Sequence, residues 1–341
     1  MAALGPSPHA AGMEIRPFGP DDVAEVDAWV DLTNATSSVD SPWNRPQTRA
    51  MAVGRFRHGW DGEVDTPYLA RVGDAVVGSG AISTSEYDNL ELAWIRVEVH
   101  PEHRRQGHGA VILEALLDEA RRRGRTIIAA EAWDTAAAHA FADRHAFEKK
   151  LASINRRQTL ADIDWPELDK RYDAALPHAT DYVLERWSVP TPADRLDALA
   201  VMASAINDAP TDDLDYEDEV FTPERMAAYE TAMAGRGERL FRVVARHVPS
   251  GALAAQTVVA VSEEDPTWGD QHDTSVTQAH RGHRLGLLLK ADMLRWLRED
   301  EPRLRTVDTW NAESNDHMIG VNEILGYRVM GREWAYQRNL D

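Results

Sequence analysis

The sequence predicts an α/β (α+β) fold built from two tandem copies of one domain, each a mixed, mostly antiparallel sheet flanked by helices. Three residues recur 177 positions later, in the pairs Arg104 and Arg281, Gly109 and Gly286, and Trp133 and Trp310. In both copies a basic, glycine-containing segment leads into an amphipathic stretch, and an apolar run then ends at the tryptophan. A period this long exceeds the ~20–50 residues of solenoid repeats. A chain of 341 residues has room for two domains that each bury a core.

The repeat and the composition along the chain predict four segments. Residues 1–12 are rich in Ala, Pro and Gly and have no apolar periodicity, so we expect a disordered tail. The first domain is expected over 13–160 and the second over 180–341. The intervening residues 161–179 contain Asp and Pro and are expected to form a helical linker.

Apolar periodicity predicts the elements of the first copy. The expected strands are 13–18, 68–72, 75–82, 90–99, 125–133 and 152–160. The expected helices are 21–32, 46–57, 107–123 and 135–145. The order is therefore strand, two helices, three strands, helix, strand, helix, strand.

The second copy repeats this order. Its expected strands are 182–187, 240–246, 253–261, 274–277, 304–310, 327–330 and 334–338. Its expected helices are 192–206, 223–233, 286–298 and 315–325. The central strand at 274–277 is expected to be short, and the last strand is expected in two pieces.

Composition excludes several classes of function. The net charge of −20 disfavours nucleic-acid binding, which needs a basic surface. No apolar run approaches the ~20 residues of a membrane span, so no membrane partner is expected. The absence of cysteine excludes disulfides and cysteine nucleophiles. The N-terminus has no charged and apolar leader, which favours the cytoplasm. The histidines near the two basic turns lack a recognisable metal-ligand spacing, so no metal is expected.

The basic turn of the first copy predicts a phosphate site. A helix begins with unpaired N–H groups and a partial positive charge, and both attract anions. Glycines at 107 and 109 let a diphosphate approach the backbone. A Walker loop would need Lys where Ala110 stands, and a dinucleotide fingerprint would need a third glycine where Ile112 stands.

Arg104, Gly107 and Gly109, in this order of elements, resemble the Arg/Gln-x-x-Gly-x-Gly/Ala signature of the GNAT acyltransferase superfamily. The resemblance covers 13–338. It implies an acyl-coenzyme A-dependent N-acyltransferase that uses acetyl-CoA (coenzyme A) and a small-molecule amine acceptor. The residues that it implies for cofactor binding are Val97, Val99, Arg104, Arg105, Gln106, Gly107, His108, Gly109 and Ala110 in the first copy, and Val276, Arg281, Gly282, Arg284, Gly286 and Asn315 in the second.

The second copy departs from the signature at two positions. Arg284 stands where the middle glycine is expected, and it narrows the turn or grips the diphosphate itself. Asn322 stands where many members have the tyrosine that protonates the departing thiolate, and the first copy has Ala142 there. The proton must therefore come from another group or from water.

An alkyl ammonium with a pKa of about 10 must lose a proton before it attacks, so a general base is needed. The resemblance implies that this base lies on the central strand, which makes carboxylates on or beside that strand the candidates. Asp270 and Asp273 are the candidates in the second copy, and Glu91 and Glu98 in the first. The resemblance also implies that the acidic stretch 208–219 borders the acceptor cleft, where its charge would attract a cationic amine. We therefore expect the chemistry in the second copy.

Two alternatives stay open at this level. Both copies lack the usual tyrosine acid, so the chain could instead be a non-catalytic protein that binds or senses coenzyme A or acyl-CoA. Its oligomeric state could be a monomer or a homodimer. Neither the acyl chain length nor the acceptor follows from the residues.

Overall fold

The structure, a computed structural model, describes residues 12–340 and divides into two compact units. Of the described residues, unit 1 comprises those up to 150, 213–217 and those from 333 onwards, and unit 2 comprises 151–212 and 218–332. The predicted tail lies outside the described residues, Gly12 excepted. The predicted domain limits remain predictions about the two sequence copies.

The helices and strands follow the predicted order. Those of the first half are β1 Met13–Pro17, α1 Val23–Asp40, α2 Arg49–His58, β2 Thr66–Val72, β3 Ala75–Ser83, β4 Leu92–Val99, α3 His108–Arg122, β5 Ile127–Trp133, α4 Ala136–Arg144 and β6 Glu148–Thr159. Those of the second half are α5 Trp165–Ala175, β7 Tyr182–Trp187, α6 Ala193–Ala203, α7 Pro223–Gly235, β8 Glu238–His247, β9 Leu253–Ser262, β10 Trp268–Val276, α8 Leu285–Asp300, β11 Thr306–Ala312, α9 Asp316–Ile324 and β12 Arg328–Asn339.

Unit 1 is a sheet covered by helices on both faces. Its strand order is β1-β2-β3-β4-β5-β12, with β4 and β5 parallel and the other neighbours antiparallel. The amphipathic helix α3 buries Ile112 and Leu116 against one face. Trp29 and Phe56, from α1 and α2, pack on the other face. This three-layer arrangement buries both faces of the central strands.

Unit 2 repeats the arrangement with the order β6-β11-β10-β9-β8-β7, where only β10 and β11 are parallel. Helix α8 packs Leu288 and Leu289 against β8 and β9. Helices α6 and α7 contribute Met202 and Met226 to a second cluster. The predicted mixed, mostly antiparallel α/β class is confirmed.

Each unit completes its sheet with a strand from the other half of the sequence. In unit 1, residues 333–339 of β12 pair with β5, from Glu333 opposite Trp133 to Asn339 opposite Ile127. In unit 2, residues 153–159 of β6 pair with β11. The segment 213–217 also belongs to unit 1, where Asp215 and Gln337 exchange two hydrogen bonds of 2.8 Å. Neither unit is therefore a continuous piece of the chain.

Three elements differ from the sequence prediction. Helix α1 continues to Asp40, past the predicted end at 32, because Thr33 and Thr36 are buried and this tertiary packing overrides their low helix propensity. Strand β10 begins at Trp268 and is longer than predicted. β12 is one continuous strand, because Gly331, which separated the two predicted pieces, adopts no left-handed backbone there.

Candidate active site

The two basic turns share one backbone conformation but place glycine differently. The first turn has positive φ at Arg105 (63°) and at Gly107 (91°), which precedes α3. The second turn has positive φ 177 residues later, at Gly282 (86°) and Arg284 (56°). Each turn thus contains one glycine and one arginine in the left-handed region, in opposite order. Arg284 does not narrow the second turn into a different conformation; it adopts the conformation that glycine has in the first.

The signature arginine organises each turn from within. Arg104 Nε donates to the carbonyl of Val99 (3.2 Å), and its two terminal nitrogens donate to Asp40 (2.9 and 2.6 Å). Arg281 repeats both contacts, to the carbonyl of Val276 (3.3 Å) and to Asp208 (2.5 Å). Both guanidinium groups therefore tie the end of the central strand to a carboxylate near the first helices. Their positive charge is partly neutralised before any phosphate binds.

The glycine in the first turn of the following helix has a different environment in each unit. A Cβ on Gly109 would lie 3.1 Å from Phe141 Cε2 and 3.4 Å from Val99 Cγ2. A Cβ on Gly286 would meet nothing within 4 Å, and neither would one on Gly282. The helix start of unit 2 is thus open, whereas that of unit 1 is packed against α4.

Both turns fit a diphosphate. Alternating left-handed and right-handed residues direct successive backbone N–H groups towards one point, which is how anion-binding nests form. The N-terminus of a long helix follows directly in each case. The open space at Gly282 and Gly286 leaves room for the phosphate oxygens in unit 2. The residues present are therefore compatible with coenzyme A.

In both units the parallel central strands separate beside the turn. Pairing of β4 with β5 ends at Ile95 and Ala130, and pairing of β10 with β11 ends at Asp270 and Asp308. In unit 2 a cavity of roughly 170 Å³ occupies this gap. It is lined by Leu151, Ile206, Ala209, Pro210, Gln271, His272, Thr274, Lys290, Thr309, Trp310, Asn311, Ala312, Asn315 and Met318. These residues come from helices on both faces of the sheet and from the two separated strands.

A bulge distinguishes β10 from β4. Gln271 is opposite Val259 and Thr274 is opposite Thr257, so β10 has one residue more than β9 between these pairs. The corresponding ladder in unit 1 runs in continuous register from Trp94 to Val99. A bulge bends its strand and redirects its side chains. The extra residue of unit 2 therefore lies where the cavity opens.

Asp273 is one of the two bulged residues. Its Oδ2 accepts hydrogen bonds from Gln256 Nε2 (2.5 Å) and Ser275 Oγ (3.1 Å). Its Oδ1 is buried and accepts no hydrogen bond from the described part of the chain. Burial raises the pKa of Asp273 to about 6, although both hydrogen bonds oppose the shift. The carboxylate is thus ionised at neutral pH and more basic than an ordinary aspartate.

The other predicted bases lie elsewhere. Asp270 occupies the last parallel pair of β10, opposite Asp308, before the strands separate. Glu91 precedes β4 at the end remote from the basic turn, and its Oε2 accepts from Thr126 Oγ1 (3.2 Å). The structure therefore places Asp273 in the bulge, between the cavity-lining residues His272 and Thr274, without making it a lining residue itself, and it does not bring Glu91 there. Glu98 does lie beyond the separation, where Thr33 and Ser79 donate to it (3.3 Å each).

Asn322 and Asn315 have structural partners. Asn322 is fully buried, its Oδ1 accepts from Lys290 Nζ (2.7 Å), and its Nδ2 donates to Asn311 Oδ1 (2.7 Å). Asn315 caps α9 by accepting from the N–H of Met318 (3.2 Å), and it also lines the cavity. Lys290 and Asn311 are functional candidates that the sequence reasoning missed. The sequence feature that could have indicated Lys290 is a lysine on the apolar face of an amphipathic helix, four residues after Gly286.

His272 was also missed. It is the second bulged residue, it lines the cavity, and its Nδ1 lies 2.6 Å from the hydroxyl of Tyr229 on α7. Burial lowers the pKa of His272 to about 3 and raises the pKa of Tyr229 well above its usual range. The phenol therefore keeps its proton and donates it to Nδ1 of a neutral imidazole. The remaining ring proton is then on Nε2.

The acidic stretch is divided between the units. Asp208 and Asp212 belong to unit 2, where Asp208 holds Arg281 and Asp212 accepts from Ser314 Oγ (2.6 Å). Residues 213–217 belong to unit 1, where Glu217 and Asn89 exchange two hydrogen bonds. The stretch is thus partly tied to structure rather than wholly available to a ligand.

The separated strands of unit 1 carry charged side chains instead of a bulge. Strand register places Arg96, Glu131 and Glu333 on one face of neighbouring strands. Burial, together with the charge of Glu131, raises the pKa of Glu333 to about 8, although Arg96 opposes the shift. Glu333 is therefore largely protonated at neutral pH.

Two kinds of feature are absent from residues 12–340. No helix in this range is both long and apolar enough to cross a membrane. The same residues contain no group of three or more His, Asp or Glu side chains placed to hold a metal ion.

The fold and the turns define a class. The family described as "Acetyltransferase (GNAT) family" matches residues 27–147. Mycothiol acetyltransferase of Parafrankia sp. (strain EAN1pec) is 26% identical over 328 residues, which cover 93% of this chain and 96% of that relative. Residues 27–147 thus match the GNAT acetyltransferase family, and the chain is an N-acetyltransferase that is similar over nearly its whole length to this relative.

Solved structures agree with this class. A tandem GNAT protein from the clavulanic acid biosynthesis pathway, solved without AcCoA, is similar with a TM-score of 0.78 and 26% identity, over 96% of this chain and 98% of that one. A GCN5-related N-acetyltransferase from Sphaerobacter thermophilus has a TM-score of 0.68 and 16% identity, over 96% and 95%. The second likeness concerns the fold alone. The first extends over both sequence copies.

Proposed function

We propose that unit 2 transfers the acetyl group of acetyl-CoA to the primary amine of a small molecule. The observation that carries the proposal is the cavity of unit 2. It lies in the gap between the central strands, beside a turn suited to a diphosphate, and it is lined from both faces of the sheet. Such a passage lets a thioester enter from the α8 side and an amine from the α6 side.

Several residues would hold acetyl-CoA, which supplies an activated acyl group as a thioester. The backbone N–H groups from Gly282 to Gly286 face the diphosphate, and Arg284 adds positive charge at its edge. Val276 ends the strand whose edge is exposed by the separation from β11. Asn315 lies further along the cavity, where the pantetheine arm would pass.

Asp273 is the base that we propose in preference to Asp270. It lies in the bulge beside the cavity-lining His272, and its pKa of about 6 leaves it ionised at pH 7 while raising its affinity for a proton. Its buried Oδ1 has acceptor capacity for the amine or for one intervening water. His272 shapes the passage as a neutral hydrogen-bonding group.

A cationic amine suits this entrance. Asp208 and Asp212 lie on the segment that follows α6, close to the lining residues Ala209 and Pro210. Their charge would favour approach of an ammonium ion in an already acidic chain. The acceptor that we propose is a small-molecule primary amine.

We propose a different role for unit 1, namely binding of coenzyme A without turnover. Its turn matches the signature fully, but its central strand has no bulge and its gap carries Arg96 and Glu131. In this arrangement Val97, Val99 and residues 104–110 hold the cofactor. In this proposal, binding of coenzyme A without catalysis applies to unit 1 alone.

Release of coenzyme A thiol tests the location of the chemistry. The chain contains no cysteine, so a thiol reagent reports coenzyme A alone. Acetyl-CoA is incubated with putrescine, glucosamine, glycine amide or tyramine, and the wild type is compared with Gly282→Asp and Gly107→Asp. Gly251→Asp is the matched control, since Gly251 also has positive φ (73°) and open space but lies in the β8–β9 hairpin.

We expect Gly282→Asp to abolish amine-dependent release and Gly107→Asp and the control to retain it. Loss of release in Gly107→Asp alone would move the chemistry to unit 1. Coenzyme A binding by both units, with no amine-dependent release across the panel or a wider set of amines, would instead favour the binding role for the whole chain.

A further inference from the structure

Lys290 is a buried lysine without a counter-ion. It lies on α8, its side chain is 2% exposed, and it faces the cavity of unit 2. Nζ donates to Asn322 Oδ1 at 2.7 Å and lies 4.7 Å from the centre of the Tyr327 ring. Within residues 12–340 no carboxylate forms an ion pair with it. Burying an ammonium without a counter-ion costs free energy, so its presence here calls for an explanation.

The hydrogen bonds of Asn322 are arranged to hold this amine. A lysine ammonium can only donate, so the carbonyl end of the amide must face Nζ. The amide nitrogen is then directed to Asn311 Oδ1, at 2.7 Å. Asn322 occupies the position where related enzymes carry a tyrosine acid, but an amide does not give up a proton near neutral pH. Its position therefore serves to orient Lys290.

We propose that Lys290 is the general acid of unit 2 and protonates the departing sulfur of coenzyme A. The proposal rests on the proposed function of that unit. In the step, the acceptor nitrogen forms a bond to the acetyl carbon and the carbon–sulfur bond breaks. The electron pair of that bond goes to sulfur, which takes a proton from Nζ. Lys290 is left as a neutral amine, and water or the proton released by the acceptor restores it.

Burial supports the proton transfer. It lowers the pKa of Lys290 to about 7, below the ~8.5 typical of a thiol, so transfer to a thiolate is favourable. The titratable groups around it are Tyr327 on the strand side, whose pKa is raised by burial, and neutral His272 across the cavity. Asp308, which acts on Tyr327, is itself paired with Arg157. None of these groups supplies a negative charge that would raise the pKa of Lys290 again.

The choice of lysine at this position is informative. The chain has 37 Lys and Arg residues, but lysine occurs only at 149, 150, 170 and 290. Arginine stays protonated in proteins and could not donate in this step, whereas a buried lysine can. A residue that merely fixed Asn322 could equally be arginine, given space.

The first test reads the thiol itself. Coenzyme A is bound to the full chain carrying Gly107→Asp, so that unit 2 is read alone, and thiolate absorbance near 240 nm is followed with pH. Around and below pH 7, where Lys290 still carries charge, its ammonium stabilises a thiolate, so we expect thiolate to appear at lower pH with Lys290 present than with Lys290→Met. Lys170→Met, on an exposed lysine of α5, is the control and should leave the titration unchanged.

The second test is kinetic. Lys290→Met should lower kcat by about 10²-fold or more, while the KM for acetyl-CoA changes less than about threefold. Lys290→Arg keeps a positive charge but should be as slow as Lys290→Met; full rescue by arginine would indicate a structural role. In the wild type, kcat against pH should stop rising near pH 7, because the acid form is lost as the amine acceptor becomes neutral. In Lys290→Met the rise should continue to higher pH.

Three results would overturn the proposal. One is an unchanged kcat and pH profile in Lys290→Met. Another is an acetyl group on Lys290 after incubation with acetyl-CoA, found by peptide mass spectrometry, since an acylated amine cannot act as the acid. The third is equal thiol titration with and without Lys290. If Gly107→Asp leaves no coenzyme A binding at all, the proposed function of unit 2 fails, and this inference fails with it for a distinguishable reason.

Discussion

The two basic turns reach one backbone conformation with opposite arrangements of glycine and arginine. The first has Arg105 and Gly107 at the left-handed positions, and the second has Gly282 and Arg284. A non-glycine residue in this region costs roughly 1–2 kcal/mol, and each turn tolerates that cost once. The two copies therefore preserve the conformation that directs the backbone N–H groups rather than the positions of the glycines.

The strands that lead into these turns differ more than the turns do. β10 has a bulge at His272 and Asp273, and a cavity opens beside it. β4 has continuous register, and charged side chains face its gap. The same phosphate turn can therefore serve a reacting site in one unit and a holding site in the other.

The largest expected effect concerns Asp273. Asp273→Asn should lower kcat by about 10²–10⁴ at neutral pH, because the amine loses its proton acceptor. In the wild type, activity should rise as pH increases through about 6, where Asp273 loses its proton. The measurement is a pH–rate series on Asp273→Asn, Asp270→Asn and Glu91→Gln. A loss confined to the Glu91 variant would place the reacting centre in unit 1.

A smaller effect on stability is expected from Lys290→Met, and it should depend on pH. The pKa of Lys290 is lower in the folded chain, about 7, than in the unfolded chain, ~10.4. The unfolded chain therefore binds more protons between these values, and the cost of burying Lys290 is full below pH 7 and fades as pH rises. The stability gained by Lys290→Met should be about 2 kcal/mol larger at pH 6 than at pH 9. Urea unfolding of both chains at the two pH values measures it, and a gain independent of pH would contradict the lowered pKa.

The binding role of unit 1 gives the next prediction. Gly107→Asp should reduce the number of coenzyme A molecules bound per chain from two to one, since a carboxylate would face the diphosphate at the start of α3. The corresponding affinity should fall by at least about tenfold, or ~1.4 kcal/mol. Calorimetry on the full chain checks this, with Gly251→Asp as control. An unchanged stoichiometry would remove the assignment of this turn.

The smallest effect compares the two helix starts. Gly286→Ala should raise stability by about 0.5–1 kcal/mol, because alanine favours a helix and its Cβ meets nothing within 4 Å. Gly109→Ala should lack this gain or lose stability, since its Cβ would lie 3.1 Å from Phe141. Thermal unfolding of the two variants decides it. Equal gains in stability would show that Phe141 on α4 shifts easily to make room for the added Cβ.

The turns and the order of elements could be predicted from the sequence, because both depend on local rules. Arg104, Gly107 and Gly109 stand at positions where helix starts and left-handed backbone restrict the choice of residue. Most helices begin and end within a few residues of their predicted limits, and α1 is the main exception. There, Thr33 and Thr36 are buried, and tertiary packing of this kind overrides propensity.

The rest depends on partners distant in sequence. The bulge at Asp273 is defined by its register against β9, which no local pattern records. The role of Asn322 depends on Lys290, 32 residues earlier, and on Asn311. The pairing of β12 with β5 could not be predicted either, because the residue pattern of a strand does not indicate which other strand it pairs with.

That last pairing affects how the protein can be made. As the chain leaves the ribosome, β5 of unit 1 is present long before residues 333–339, which cover its edge. Until residues 333–339 have been synthesised, this edge offers unpaired backbone groups to any other strand nearby. These residues thus complete the sheet of the earliest part of the molecule. A gene truncated at the boundary between the sequence copies would encode a first half that lacks residues 333–339, the strand that pairs with β5.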